Sequence, residues 1–455
     1  MSKKVKASKY NICLPVGDKD SHWLIFNGGK GSFCLANEGL GKMLDWANSH
    51  ERELPPMDEG TYNFLMSRGL LDYEDQEDFI ITDICKQEHC RNCEHIIMSI
   101  VPSYQCNFSC PYCFEKVIRE TQHERLKAVM TCEMVDAIFA QMDAFYKEGK
   151  KTEHFLFFGG EPFLPGNKEV VAHTCAKCDE RNIPMSVITN GYYLNEYIDL
   201  IEKYNFSAVK ITIDGPKEVH DARRSPATTL ESFDRIIENT LMVLETGKTV
   251  TYRTNVNQDN HWVITKMKEE YEALGLTRYP NFSYYFCATM RSFEQEGNIY
   301  SNVDIMDKIG NVCKNYKYNS AYARIYRRLL PFMKGEGYME LKPEFCVAHS
   351  GKYTVDPFGN VFTCWDLMHK PEAIVAKVDL PSKKFIYNDN FSTWNCRTVD
   401  TIPQCKDCKY MLFCGGGCAA QALETYGDMQ KAYCDTFPEI FNQVALQIAR
   451  EYLIK

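Results

Sequence analysis

Apolar and polar positions follow four regimes along the chain. Over residues 1–85 short extended runs give way to a helical period. Tyr10–Val16 and His22–Phe26 read as strands, the turn-rich NGGKGS follows with Asn27–Gly28 as a hairpin signal, and Phe33–Leu35 returns. Leu40, Met43, Leu44 and Ala47 then stand at i, i+3, i+4 and i+7, one face of a helix. A second helix is expected over Glu59–Arg68, closed by Gly69. From about 95 to 290 apolar strands alternate with helical stretches. The strands are Ile96–Val101, His154–Phe158, Met185–Thr189, Val209–Ile213, Val250–Asn255 and Phe282–Phe286; CEMVDAIFAQMDAFYKEG and ESFDRIIENTLMVLE are two of the helices. Six such units predict an α/β fold whose parallel sheet curls into a partial (β/α)6 TIM-type barrel. Chemistry in such barrels gathers at the C-terminal ends of the strands. Residues 291–345 are polar and tyrosine-rich and read as a bridging region. Residues 346–455 are cysteine-dense as far as Cys434 and end in the amphipathic TFPEIFNQVALQIAREYLIK.

Length and composition narrow the class. At 455 residues two or three domains are expected, and 45% hydrophobic with 25% charged residues is the balance of a soluble globular chain. A net charge of −9 gives no general affinity for nucleic acid, and an anionic membrane surface would repel it. The basic start MSKKVKASKY is followed by no apolar core, so neither a signal peptide nor a spanning helix is expected. Without a signal, 21 cysteines indicate a reducing cytoplasm and metal ligation rather than a disulfide framework.

Cys106, Cys110 and Cys113 stand in CNFSCPYCFE, directly after the first barrel strand. Three thiolates on one short loop can hold three irons of a cubane and leave the fourth without a protein ligand. A zinc site would ordinarily be closed by a fourth ligand, and none stands at the usual spacing. The CxxxCxxC motif, with Tyr112 before its last cysteine, resembles that of the radical S-adenosylmethionine (SAM) enzymes. The resemblance implies a [4Fe-4S] cluster whose free iron is chelated by the amino and carboxylate groups of SAM, and reductive cleavage of SAM to a 5′-deoxyadenosyl radical.

The second strand ends in FFGGEPFL. There Gly159 and Gly160 let backbone approach a ligand closely, and Glu161 can accept from an ammonium group. This resembles the family's GGE motif, which holds the SAM amino group. The third strand ends in ITNG, with Thr189 and Asn190 suited to ribose hydroxyls. By the same resemblance Thr212 takes the place of a SAM-contacting serine, and Arg224 pairs with the SAM carboxylate, which a guanidinium fork fits. Asp214 and His220 read as structural. Arg253, in YRTNVN, faces SAM or substrate or makes a buried ion pair.

A second group comprises Cys346, Cys364, Cys405, Cys408, Cys414, Cys418 and Cys434, in the order Cx12Gx4C, CxxCx5CxxxC and a last cysteine. Soft ligands in sets of four suit zinc or iron–sulfur clusters. The order resembles the SPASM domain, which implies two auxiliary [4Fe-4S] clusters and three clusters in all. Cys405, Cys408, Cys414 and Cys434 would hold the distal one; Cys346, Cys364 and Cys418 would hold the nearer one, with Cys287, Cys313 or Cys396 as further candidates. Cys85, Cys90 and Cys93, near His89 and His95, read as free thiols on a helix. Cys175 and Cys178 read as packing, and Cys13, Cys34 and Cys132 carry no signal.

Residues 1–85 resemble the winged-helix peptide-recognition element of enzymes that modify ribosomal peptides. Together the resemblances imply an oxidoreductase, a peptide maturase that installs a cross-link, most simply a cysteine thioether. Its partners would be a precursor peptide, with its leader on the N-terminal domain, and a flavodoxin- or ferredoxin-type electron donor. Alternatives are an anaerobic sulfatase-maturating enzyme, a carbon–carbon cross-linking maturase, peptide epimerisation or backbone excision, and an iron–sulfur carrier or peptide-binding chaperone. Sulfatase-maturating enzymes place an aspartate base directly after the second SPASM cysteine. Here Cys364–Trp365–Asp366 displaces it by one residue.

Overall fold

A computed structural model describes residues 4–17, 22–73, 77–224, 226, 228–229, 231–288 and 321–454. Cys313 and most of the expected bridging region lie outside the described residues. The chain divides into two compact units that cut across the stretch 346–455. One gathers residues 1–92, 321–349 and 396–455, and the other residues 93–320 and 350–395.

In the first unit, β1 (Val5–Ala7) pairs antiparallel with β5 (Leu71–Tyr73), and β2 (Asn11–Val16), β3 (His22–Asn27) and β4 (Ser32–Asn37) form an antiparallel meander. The helix Glu38–Ser49 starts where Asn37 accepts from the Leu40 amide, and the helix Glu59–Ser67 where Asp58 accepts from that of Thr61. Such caps satisfy amide groups that the first turn leaves bare. Strands β2 and β3 are buried almost throughout rather than alternately. The reason is a double-sided sheet. Cys13, Trp23, Ile25, Cys34 and Ala36 pack with Leu44, Ala47 and Leu65 of the nearby helices. From the other face Phe26 meets Phe413 and Phe441, the latter on the closing helix Phe437–Ile448, at ring separations of 6.4 and 5.2 Å. Tyr10, Ile81 and Cys85 share a further core with Val399, Ile402, Cys405, Met411 and Leu412.

In the second unit one sheet holds ten strands. Six are parallel and in chain order: β6 (His95–Ile100), β7 (Lys151–Phe157), β8 (Met185–Thr189), β9 (Phe206–Thr212), β10 (Val250–Val256) and β11 (Phe282–Ala288). These are the six strands the sequence pattern predicts. Beyond β6 the sheet continues through β12 (Lys352–Val355), which runs parallel to it, and then antiparallel through β13 (Asn360–Phe362), β14 (Ile374–Asp379) and β15 (Lys384–Tyr387). One face of the parallel strands packs under helices. Phe155 stacks on Phe139 of the helix Cys132–Lys147, and Tyr252 donates to Thr240 of the helix Phe233–Glu245. No described helix is long and apolar enough to cross a membrane.

Candidate active site

The loop after β6 brings Cys106, Cys110 and Cys113 to the C-terminal end of the sheet. The three thiols lie within one another's electrostatic reach, and burial pushes those of Cys106 and Cys113 up. A soft metal reverses that by binding the thiolate. Donors already surround the sulfurs. The Phe108 amide reaches Cys106 at 3.4 Å, Asn190 Nδ2 reaches it at 4.0 Å, and Arg119 Nη1 reaches Cys113 at 3.4 Å. Among the described residues no three His, Cys, Asp or Glu side chains converge as the ligands of a single ion would. A cubane takes each thiolate on a different iron, so three cysteines on one loop suffice to leave its fourth iron open.

The loop after β7 presses directly against the cysteine loop. Gly160 has φ +49°, and a Cβ there would stand 2.3 Å from the Gln105 carbonyl oxygen; at Gly159, φ is +82° and Val101 would be met at 2.7 Å. Only glycine fits both positions. The Gly160 amide donates to Glu115 at 2.6 Å, and the Glu161 amide donates to the Gln105 carbonyl at 2.7 Å. The carbonyls of Gly159 and Gly160 accept no hydrogen bond among the described residues, which suits them to an ammonium group. The Glu161 carboxylate is occupied within the chain. It accepts from Thr189 Oγ1 (2.7 Å), the Asn190 amide (2.7 Å) and the Phe163 amide (2.9 Å), and burial pushes its carboxyl up. It thus ties the end of β8 to the end of β7. Asn190 turns its amide nitrogen to Asn107 at 2.8 Å.

A third cluster surrounds Tyr112, whose hydroxyl donates to Asp214 and accepts from Arg224 Nη1 (2.7 Å) and Asn255 Nδ2 (3.3 Å). Asp214 also accepts from the Asn255 amide (3.1 Å) and Arg223 Nε (3.3 Å). The aspartate read as structural is therefore the hub that fixes the motif tyrosine. Arg224 Nε is buried and meets no acceptor among the described residues, so the guanidinium keeps an edge suited to a carboxylate. Thr212 ends β9 in register with Arg253 of β10. His220 is buried, its Nδ1 accepting from the Asp214 amide at 3.4 Å.

Of the second cysteine group, Cys346, Cys405, Cys408, Cys414, Cys418 and Cys434 belong to the first unit and Cys364 to the second. Cys405 and Cys408 share a turn closed by a 3.0 Å amide bond, and burial pushes the thiols of Cys405 and Cys414 up to about 12. Gly415, Gly416 and Gly417 all have φ between +75° and +83°, and the amides of Gly416 and Gly417 bond Cys414. Sequence reasoning missed Arg397. It is fully buried and donates to the carbonyls of Met429 (2.6 Å), Gly417 (3.0 Å), Lys431 (3.0 Å) and Gly416 (3.2 Å). Cys405, Cys418, Cys346 and Cys414 all lie within its field. Its place after Cys396 offered no signal. Cys175 and Cys178 are buried on a helix, and Cys90 is exposed.

A parallel sheet with a three-cysteine loop, a glycine cradle and an arginine at its C-terminal end defines a radical SAM domain. Residues 100–260 match the model of the Radical SAM superfamily. A radical SAM domain implies SAM and a [4Fe-4S] cluster. The chain is 23% identical over 363 residues to a cysteine-type anaerobic sulfatase-maturating enzyme of Clostridium novyi, a match covering 75% of this chain and 92% of that one. It is 21% identical over 480 residues to the radical SAM cyclopropyl synthase TigE of Paramaledivibacter caminithermalis, covering 96% and 94%. Two solved structures share the fold. One is anSMEcpe with bound AdoMet and Cp18Cys peptide (TM-score 0.58, 17% identity, 79% of this chain and 98% of that one). The other is Streptococcus suis SuiB bound to precursor peptide SuiA (TM-score 0.53, 12% identity, 94% and 98%).

Proposed function

We propose that this enzyme is a peptide maturase that abstracts hydrogen from a ribosomally made precursor peptide and installs a cross-link. The observation that carries this reading is coverage. Likeness to TigE and SuiB extends over 96% and 94% of the chain, whereas likeness to the sulfatase-maturating enzymes covers 75–79%. Cys106, Cys110 and Cys113 hold the cluster. Gly159, Gly160 and Arg224 take the amino and carboxylate groups of SAM; Tyr112, Glu161, Thr189, Asn190 and Thr212 shape the rest of its site. Cluster and SAM together supply hydrogen-atom abstraction. The seven later cysteines hold two auxiliary clusters, and a flavodoxin- or ferredoxin-type protein delivers electrons.

Residues 1–85 bind the leader. Among the described strands β4 pairs only with β3, so its outer edge can accept an added strand. The product is a cysteine thioether. Burial pushes the Asp366 carboxyl up against the opposing charges of Lys352 and Arg253, and its displacement by one residue in Cys364–Trp365–Asp366 favours a product that needs no protein base. A carbon–carbon ring closure is the second reading, favoured by the likeness to TigE. Anaerobic co-expression with a neighbouring short reading frame, followed by tandem mass spectrometry, tests both. A thioether gives a product lighter by two hydrogens whose cysteine resists alkylation, and an alkylatable cysteine in such a product selects the carbon–carbon bond. Replacing Cys106, Cys110 and Cys113 together with alanine is expected to abolish 5′-deoxyadenosine formation; SAM cleavage that survives would refute the cluster assignment.

A further inference from the structure

The face of the parallel sheet turned away from the helices carries cations. Across β12, β6 and β7 the register sets Lys352 beside Ile97 and Ile97 beside His154; across β9, β10 and β11 it sets Thr212 beside Arg253 and Arg253 beside Tyr285. The intervening pairs Leu156–Ser186, Ile188–Lys210 and Lys210–Thr251 carry the same parity across β8. Residues in register point to one face, so Lys352, Lys210 and Arg253 share it. That face leads up to the Cys106 loop and to Tyr112.

Among the described residues no acid takes the Arg253 Nε hydrogen. Asp214 is already bonded to Tyr112, Arg223 and Asn255. Asp366 is one carboxylate within the field of two cations, Lys352 and Arg253. Arg253 reaches the Cys287 sulfur with Nη2 at 3.8 Å, a weak acceptor, and its buried Nε meets no acceptor among the described residues. A buried guanidinium with an unbonded N–H is costly unless a ligand completes it. Lys352 Nζ stands 3.0 Å above the Trp365 ring, which stacks on Phe158 at 4.7 Å. The aromatic platform fixes where that charge stands.

We propose that this face binds a carboxylate of the substrate peptide beside the modified position, with Arg253 as the hydrogen-bonding fork and Lys352 as the second cation. The inference rests on the peptide-maturase reading and narrows it to acidic peptides. The carboxylate comes either from an Asp or Glu side chain or from the peptide's C-terminus. The test uses the cluster-loaded enzyme with SAM and three fluorescein-labelled heptapeptides, read by anisotropy under anaerobic conditions. The first has a central Asp and an amidated C-terminus, the second a central Asn and an amidated C-terminus, and the third a central Asn and a free C-terminus. An acid-bearing peptide is expected to bind about tenfold more tightly than the neutral one, in line with the loss of a charge-paired hydrogen bond. The first or the third peptide identifies the source. The preference should vanish in R253Q and shrink in K352Q, with thermal melts showing that each variant is folded; if R253Q does not fold, K352Q and R253K carry the comparison. Equal binding of all three peptides, binding of none, or a preference that survives every variant overturns the proposal. The co-expression experiment stands apart from it: a precursor that is modified at the same rate with Asn in place of its acidic residues defeats this inference and leaves the maturase reading intact.

Discussion

At the scale of single residues, Arg397 and His220 illustrate opposite uses of burial. Arg397 spends its charge on four main-chain carbonyls around the glycine turn that follows Cys414. Arg397→Met would leave those carbonyls bare, and is expected to destabilise the unloaded protein by about 3 kcal/mol. Guanidinium denaturation measures this, and iron content after reconstitution should fall with it. His220 is held neutral. Burial, assisted by the Arg224 charge, keeps its imidazole well below the ordinary value. The unfolded chain binds a proton there below about pH 6.5 and the folded chain does not. Stability contributed by this site is therefore complete above that pH and declines as pH falls through it. Melting temperatures at pH 7.5, 6.5 and 5.5 should drop more steeply for the wild type than for His220→Asn; parallel slopes would show that the histidine is not the titrating group. Neither residue's role was legible beforehand in the same degree. His220 lies in a motif-bearing loop and reads as structural, whereas nothing near Arg397 in sequence marks the carbonyls it reaches.

At the scale of elements, the six parallel strands were legible because each is a compact run of apolar residues, and the candidate motifs stand at or just after the ends of the first five. Strands β12 to β15 were not. They are only three to six residues long, and β12 gains its place from β6, more than 250 residues earlier. The non-alternating burial of β2 and β3 was equally hidden, since the second face is covered by a helix at the far end of the chain. Turns make the sharpest element-level test. A Cβ at Gly417 would lie 1.7 Å from the Tyr433 carbonyl oxygen, whereas one at Gly149 would meet nothing within 4 Å, although φ is positive at both. Gly149→Ala should cost roughly 1 kcal/mol, from backbone strain alone. Gly417→Ala should cost more than about 3 kcal/mol, because main chain has to move. Urea denaturation of the two variants side by side checks the contrast, and similar losses would mean that the turn yields easily.

At the scale of the whole molecule, the first unit is built from three separated segments. Removing residues 1–85 would strip Tyr10, Ile81 and Cys85 from the core they share with Cys405, Met411 and Leu412. On the proposed function, the expected outcome is a double loss, of leader binding and of the iron that Cys405, Cys408, Cys414 and Cys434 would hold. Iron analysis and the cluster absorption band, compared with full-length enzyme, check it; a truncated protein with full iron content would show that the C-terminal segments stand alone. The same arrangement has a temporal side. The Tyr10 hydroxyl donates to the Lys406 carbonyl across 396 residues of sequence. A ribosome adding 5–20 residues per second needs roughly 20–80 s to bridge that interval. For that time the earliest strands are outside the ribosome while the helix that covers their second face has yet to be made. The barrel between them has time to fold first, and the newborn N-terminal sheet waits with an apolar side open to chaperones.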